Sequence, residues 1–381
     1  MSIQKSKKIT EEKAIAEGAY SVVHAFGSDP HHVIKYYTSS LFTSGSSIKE
    51  LAHMNFFNHF GIPGVELKNI YIDNDYLAVK LEKLIPIVNF KTNKDTNIRR
   101  FLVELGESLN YIHAHGIAHR DIKPTNIMFN TRTDRYQLND WSSVSIVPYN
   151  NNPGELTTVC FLPPEWLIGD KNITGACDIW MLALTTLMIW FPMYTLYKIE
   201  NPSVLLCYYY DRFDVSPNIR REKLNIRTNN ELDSDVLEVL VDMLEFDPYK
   251  RITGAQIAQR LSYYEYTKYI RTDSCFIRKF IPQNMVKWAK DVAKNMGLSQ
   301  FCLSTGLNIM SKVMLTDSDE SSIFGATCMI ISCSLHDEYF TFDSWVTYCN
   351  KQFDKHELLR HVTYILKKLS FNIVSLGMHD M

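Results

Sequence analysis

Residues His119–Asn126 read H-R-D-I-K-P-T-N. The stretch sets an acid, Asp121, two residues before a cation, Lys123, and an amide, Asn126, follows three residues later. These side chains suit the movement of a phosphoryl group. Asp121 can accept the proton of an attacking hydroxyl, Lys123 can meet phosphate charge, and Asn126 can ligate magnesium. Taken alone, the stretch also reads as a polar loop after a helix, so its neighbours decide. Upstream, Ile98–His113 is amphipathic, with Ile98, Phe101, Leu102, Leu105, Leu109 and Ile112 on one face, and Gly116 ends the helix. Downstream, the short apolar runs Ile127–Phe129 and Tyr136–Leu138 read as two strands joined by a turn, and Asp140 follows them in D-W-S.

Composition narrows the class. The 381 residues fit about two or three domains. Hydrophobic content of 46% and charged content of 22% predict folded cores. A net charge of −2 gives no long-range attraction to nucleic acid or anionic membrane, and neither is expected as a partner. The eight cysteines are scattered without a C-x-x-C pair, which argues against a zinc site and fits reduced thiols inside a cell. The N-terminus is charged and lacks the apolar region of a secretory signal. The longest apolar run, Ile179–Met193, holds two threonines and a proline and is shorter than the roughly 18 residues of a membrane span. It reads as a buried helix, and the location expected is intracellular, in cytoplasm or nucleus.

The N-terminal third reads as strands. Apolar residues alternate on both sides of Gly18 within residues 14–25, the pattern of a hairpin whose glycine lets backbone approach a ligand closely. The run His32–Tyr37 is a strand holding Lys35, and a lysine in such a run is costly unless paired. Leu51, Met54 and Phe57 recur every three residues in Ile48–Phe57, a helix carrying Glu50. Ile70–Ile72 and Tyr76–Glu82 are further strands.

These motifs, in this order, resemble a eukaryotic-type Ser/Thr protein kinase, nearest to the cyclin-dependent kinases, over roughly residues 10–265. H-R-D-I-K-P-T-N resembles the catalytic loop and D-W-S the magnesium-binding D-F-G. Pro163-Pro164-Glu165 stands for A-P-E. The run E-G-x-Y-x-V-V-x-A resembles the glycine loop, though only Gly18 remains of its three glycines, with Ala16 and Ser21 in the flanking positions. S-S-I-K-E resembles the start of the cyclin-docking helix. The resemblance implies that ATP is bound by Ile15, Gly18, Val23, Lys35 held by Glu50, and the hinge residues Glu82 and Leu84, next to a gatekeeper at Leu81. It implies Asp121 as base, Lys123 at the γ-phosphate, and Asn126 and Asp140 as Mg²⁺ ligands. Asp178 would brace the catalytic loop, Arg251 would pair with Glu165, and Thr158 would mark Ser/Thr specificity. The activating phosphothreonine position falls near Pro153, which suggests that Glu155 or another carboxylate supplies the charge for Arg120. Leu162 replaces an arginine of proline-directed kinases, so strict selection of proline after the target residue is not expected.

Beyond about residue 265 the pattern changes. Residues 266–282 form a connector. Met285–Met296, Cys302–Met314, Ser322–Leu335, Phe342–Cys349 and Lys355–Leu369 read as five helices. G-A-T-C-M-I-I-S-C-S at 325–334 and L-K-K-L-S-F-N-I at 366–373 resemble a single cyclin box over 283–381, with an unrelated helical bundle as the alternative. Ser334 and Val362 replace the lysine and glutamate with which cyclins hold the kinase helix.

The expected architecture is an α+β bilobal protein kinase fold followed by a small all-α cyclin-like bundle. Its N-lobe is an antiparallel sheet plus one helix, and its C-lobe is mainly helical. The expected activity is transfer of the ATP γ-phosphate to a protein hydroxyl, with ATP and Mg²⁺ as cofactors and a protein as substrate. The cyclin-like part would dock on its own kinase through the Ile48–Glu50 helix. The rival is a pseudokinase scaffold, favoured by the thinned glycine loop and by Ser142 in D-W-S. The intact set Lys35, Asp121, Asn126 and Asp140 opposes it. A small-molecule kinase is disfavoured by Pro164-Glu165 with Arg251, which mark the peptide-binding half of a protein kinase.

Overall fold

A computed structural model of the chain describes residues 14–17, 21–37, 50–51, 53–54, 67–73, 76–89, 94–146, 158–170, 174–191, 199–262, 283–313, 322–335, 342–349 and 352–368. Two compact units emerge: residues 1–83 together with 273–381, and residues 84–272.

The chain begins with a five-stranded antiparallel sheet of β1 (Ala14–Glu17), β2 (Ser21–Phe26), β3 (Asp29–Tyr37), β4 (Leu67–Asp73) and β5 (Tyr76–Glu82), in the order β1-β2-β3-β5-β4. The hairpin expected around Gly18 forms as β1 and β2, and Gly18 itself lies outside the described residues. Strand β3 starts three residues before the apolar run that marks it in the sequence. The extra residues are polar or exposed, so alternation does not reveal them. Pairing does: Lys83 donates its backbone N–H to the His31 carbonyl at 2.8 Å, and Asp29 accepts from the His31 N–H at 3.0 Å. Val33 and Ile34 of β3 and Ala78, Val79 and Leu81 of β5 are buried. Of the helix expected at Ile48–Phe57, the described residues Glu50, Leu51, His53 and Met54 are helical and buried, and Ile48 lies outside them.

The second unit opens with β6 (Ile85–Pro86) and α1 (Lys94–Ala114). All six apolar residues predicted for one face of α1 are buried. After it come β7 (Ile117–Ala118), β8 (Ile127–Asn130), β9 (Arg135–Leu138) and β10 (Ser145–Ile146), with β8 paired to β6 and β9, and β10 to β7. Among the described residues six helices follow: α2 (Pro164–Leu167), α3 (Ala176–Trp190), α4 (Pro202–Arg212), α5 (Pro217–Arg227), α6 (Ser234–Met243) and α7 (Gly254–Leu261). Helix α3 takes up the apolar run expected as a buried helix at Ile179–Met193, and it begins three residues earlier. It stops at Trp190, directly before Phe191-Pro192, where proline restricts its predecessor to extended backbone. Burial of a side chain such as Leu184 or Leu187 on α3 contributes roughly 1.5–3 kcal/mol. Phe101 meets Tyr136 and Trp190 edge to face at 5.2 and 4.8 Å, which ties α1 to β9 and α3. Helices α1 and α7 cross so closely that a Cβ on Gly254 would lie 2.5 Å from the Gly106 carbonyl oxygen.

The C-terminal bundle comprises α8 (Gln283–Met296), α9 (Gln300–Val313), α10 (Ser322–Leu335), α11 (Phe342–Tyr348) and α12 (Lys355–Lys368), each within two residues of its expected limits. Helix α10 is apolar on every side and buried from Phe324 to Ser334 wherever its burial is described, with one glycine at 325 meeting Trp288. These elements have the expected class: an antiparallel sheet with a helix, a mainly helical region and a small all-α bundle. Among the described residues no helix is long and apolar enough to cross a membrane.

Candidate active site

Helix α1 delivers the chain into the loop at His119–Asn126, and Asp178 on α3 fixes that loop from below. Asp178 is wholly buried. Its Oδ2 accepts from the His119 backbone N–H at 2.7 Å and lies 2.8 Å from His113 Nε2, while its Oδ1 accepts from the Arg120 N–H at 2.7 Å. Burial raises the carboxyl pKa, but the bonds and charge of His113, the charge of His119 and the Arg120 amide outweigh it and hold the group below its usual range. Arg120 has φ of 71°, a left-handed conformation that a non-glycine residue keeps only where its surroundings over-determine it. Thr185 Oγ1 adds a further bond from α3, to the Ile122 carbonyl at 3.2 Å.

The candidate side chains of the loop converge on one carboxylate. Asp121 Oδ2 accepts from Lys123 Nζ at 2.8 Å and from Asn126 Nδ2 at 2.9 Å. Lys123 Nζ also reaches Thr158 Oγ1 at 3.1 Å, which brings in the residue expected to mark Ser/Thr specificity. Asn126 spends a second bond on the Asp121 carbonyl, 2.9 Å away, so its NH₂ faces Asp121 and its amide oxygen is left for a cation.

Strands β8 and β9 place Asp140 beside this group. Ile127 pairs with Leu138, and the Asn139 N–H donates to the Asn126 carbonyl at 2.8 Å, so Asn126 and Asp140 leave the hairpin side by side. Asp140 sits at φ of 62°, ahead of a short 3-10 turn at Trp141–Ser143. Trp141 is buried and packs on His119 with ring centroids 4.7 Å apart. Ser142 Oγ donates to Asp140 Oδ1 at 2.7 Å. Asn126 and Asp140 offer an amide and a carboxylate oxygen, donors that could hold Mg²⁺, a hard cation that keeps waters and binds substrate phosphates beside one or two carboxylates. Among the described residues no cluster of three His, Cys, Asp or Glu side chains competes for such an ion.

Arg251 and Glu165 pair as expected, and are almost wholly buried. Two parallel bonds of 2.8 and 2.9 Å join the guanidinium to the two carboxylate oxygens.

The other unit carries the remaining candidates. Lys35 lies opposite Val23 and Val79 in the centre of the sheet, and its Nζ is 2.5 Å from Glu50 Oε1. Glu50 is almost fully buried and Lys35 mostly so, which answers the cost of placing that lysine in an apolar strand. Ile15 is 52% exposed, Val23 half-buried, and Leu81 and Glu82 buried, while Leu84 is half-buried at the start of the second unit. Pro153, Glu155 and the connector at 266–282 lie outside the described residues, as does Gly18. Ser334 is buried and donates to the Ile330 carbonyl of its own helix at 2.9 Å, and Val362 is buried too.

Sequence reasoning missed His113. It stands at the end of an amphipathic helix, and its partner is 65 residues away, so no local pattern reports the contact. Thr185 was missed for the same reason, since its partner Ile122 is 63 residues away. Ser142 was read only as a loss of backbone freedom, and its hydroxyl bonds Asp140 two residues back.

Comparison with known proteins agrees with the geometry. The protein kinase domain profile matches residues 9–263, and the cyclin N-terminal domain profile matches residues 256–374. Protein kinase gsk3 of Schizosaccharomyces pombe is 26% identical over 295 residues, covering 66% of this chain and 73% of that protein.

Proposed function

The chain belongs to the protein kinase family, and on that premise we propose that it moves the γ-phosphoryl group of ATP to serine or threonine hydroxyls of a protein. The observation that carries the reading is the cluster at Asp121, where Lys123 and Asn126 both bond one carboxylate oxygen and Lys123 also bonds Thr158. In this reading Asp121 accepts the proton of the substrate hydroxyl. The hydroxyl oxygen forms its bond to the γ-phosphorus as the bond to the bridging oxygen of ADP breaks, and the proton leaves later to solvent. Lys123 offsets charge on the transferred group. Lys35, steadied by Glu50, orients the α- and β-phosphates, with Ile15, Gly18 and Val23 over the nucleotide and Glu82 and Leu84 at the adenine. Asn126 and Asp140 would hold Mg²⁺, whose charge would offset that of the phosphates.

We further propose that the cyclin-like region at 283–381 regulates the kinase region at 10–265 within one chain. The match of residues 256–374 to the cyclin N-terminal domain supports this. Covalent linkage holds such a partner at an effective concentration of about millimolar, so none is needed in trans. Substitution Ile48→Asp in the docking helix then lowers turnover, and unchanged turnover removes the regulatory claim.

The activity is tested by incubating the full chain with labelled ATP and peptides bearing Ser, Thr or Tyr. Label on Ser and Thr is the expected result. Label on Tyr alone overturns the specificity. ATP binding without label transfers the reading to a non-catalytic scaffold.

A further inference from the structure

The hydroxyl of Ser142 has no part in the phosphoryl transfer itself, yet it bonds Asp140 directly. An aspartate at the start of a helical turn ordinarily accepts from the backbone N–H two or three residues on. Asp140 stands in that place before Trp141–Ser143, yet its side chain makes no such capping bond. Its Oδ1 accepts instead from Ser142 Oγ at 2.7 Å. The backbone on which both residues sit is pinned, because Trp141 and Ser143, on either side of Ser142, are buried. Asp140 itself is held at a positive φ of 62°. The side chain of residue 142 is thus delivered to the carboxylate by a turn with little freedom to rearrange.

We propose that Ser142 is a positioning residue for the metal ligand Asp140. Its hydroxyl engages Oδ1 and sets the carboxylate plane, which presents Oδ2 to the cation that Asp140 shares with Asn126. The serine that weakens the resemblance to a working D-F-G turn therefore supports the metal site. The proposal rests on the reading of Asp140 as a Mg²⁺ ligand. Partners that orient a ligating carboxylate typically change metal affinity by about 10–100-fold when removed.

The test uses the full chain saturated with a non-hydrolysable ATP analogue, with Mn²⁺ as the probe and its affinity read from water-proton relaxation. Ser142→Ala weakens Mn²⁺ binding by about tenfold at an unchanged melting temperature, and Ser142→Thr, which keeps the hydroxyl, restores most of it. Asp140→Asn removes the nucleotide-dependent Mn²⁺ signal. If Asp140→Asn loses the ion while Ser142→Ala binds it as tightly as the parent, the role of Ser142 is overturned and the ligand reading stands. If Asp140→Asn retains the ion, the ligand reading falls and Ser142 with it. Ser142→Thr binding as weakly as Ser142→Ala also refutes the hydroxyl's role. Should Ser142→Ala fail to fold, Ser142→Cys, of similar size but a weaker donor, carries the same comparison.

Discussion

Replacing Arg251 by methionine keeps much of its volume and removes its charge. The guanidinium donates twice to Glu165, once to the Ala176 carbonyl at 2.8 Å, once to the Glu245 carbonyl at 2.9 Å and once to the Phe246 carbonyl at 3.3 Å. It also lies over the Trp180 ring, 5.1 Å from the centroid. The pair is 0% and 4% exposed, so the substitution strands a buried carboxylate. Breaking such a pair from one side destabilises by about 3–5 kcal/mol. For a unit of this size each kcal/mol lowers the melting temperature by about 2–4 °C, which predicts a fall of roughly 10 °C. Glu165→Gln gives a contrasting result. The amide still accepts one bond, and Arg251 keeps its three carbonyl partners, so the loss is about 1.5–3 kcal/mol. Urea unfolding followed by tryptophan fluorescence measures both variants, since Trp180 sits beside the pair. The order of the two losses tests the reasoning most sharply. Equal losses, a larger loss in Glu165→Gln, or an Arg251→Met variant within about 1 kcal/mol of the parent would each refute it.

Lys35→Met abolishes phosphate transfer and lowers the melting temperature, because Glu50 is left buried without the cation. Adding Glu50→Gln to that variant recovers stability in a melting assay but no turnover. Gly175→Ala puts a Cβ 2.6 Å from the His113 ring, and overpacking of this kind costs about 1–3 kcal/mol, visible as a lower urea midpoint together with slower transfer. The depressed pKa of Asp178 makes its ionisation a stabilising contribution at pH values above its ordinary 3.8. That contribution is lost as pH falls through the folded-state value. His113→Ala removes the leading cause of the depression, so acid unfolding monitored by fluorescence moves to higher pH.

The sequence carries the site wherever chemistry is local. Asp121, Lys123 and Asn126 fall within six residues, and their mutual bonds follow from one turn of backbone. Asp140 is placed by a two-strand hairpin that two short apolar runs reveal. The five C-terminal helices announce themselves by apolar faces, and α10 by having no polar face at all. The extended start of β3 is silent because pairing, not alternation, creates it. The helices between Asn201 and Leu261 are marked by signals that the motif reading passes over. Asn201-Pro202 opens α4, where Asn201 Oδ1 accepts from the Ser203 and Val204 amides, and Thr253 with Gln256 caps α7. His113 and Thr185 stay hidden for a deeper reason. Each acts on the loop at 119–126 through a contact between residues more than sixty positions apart, and only the folded chain brings the two together.

Phosphate transfer by the full chain and by Asp121→Asn tests the central claim most directly. The variant keeps the shape of the side chain and an oxygen that can accept from Lys123, but it cannot take up the proton of the substrate hydroxyl. The account predicts that transfer falls by about 10²–10⁴-fold while ATP affinity holds. Transfer at the parent rate in Asp121→Asn would contradict it.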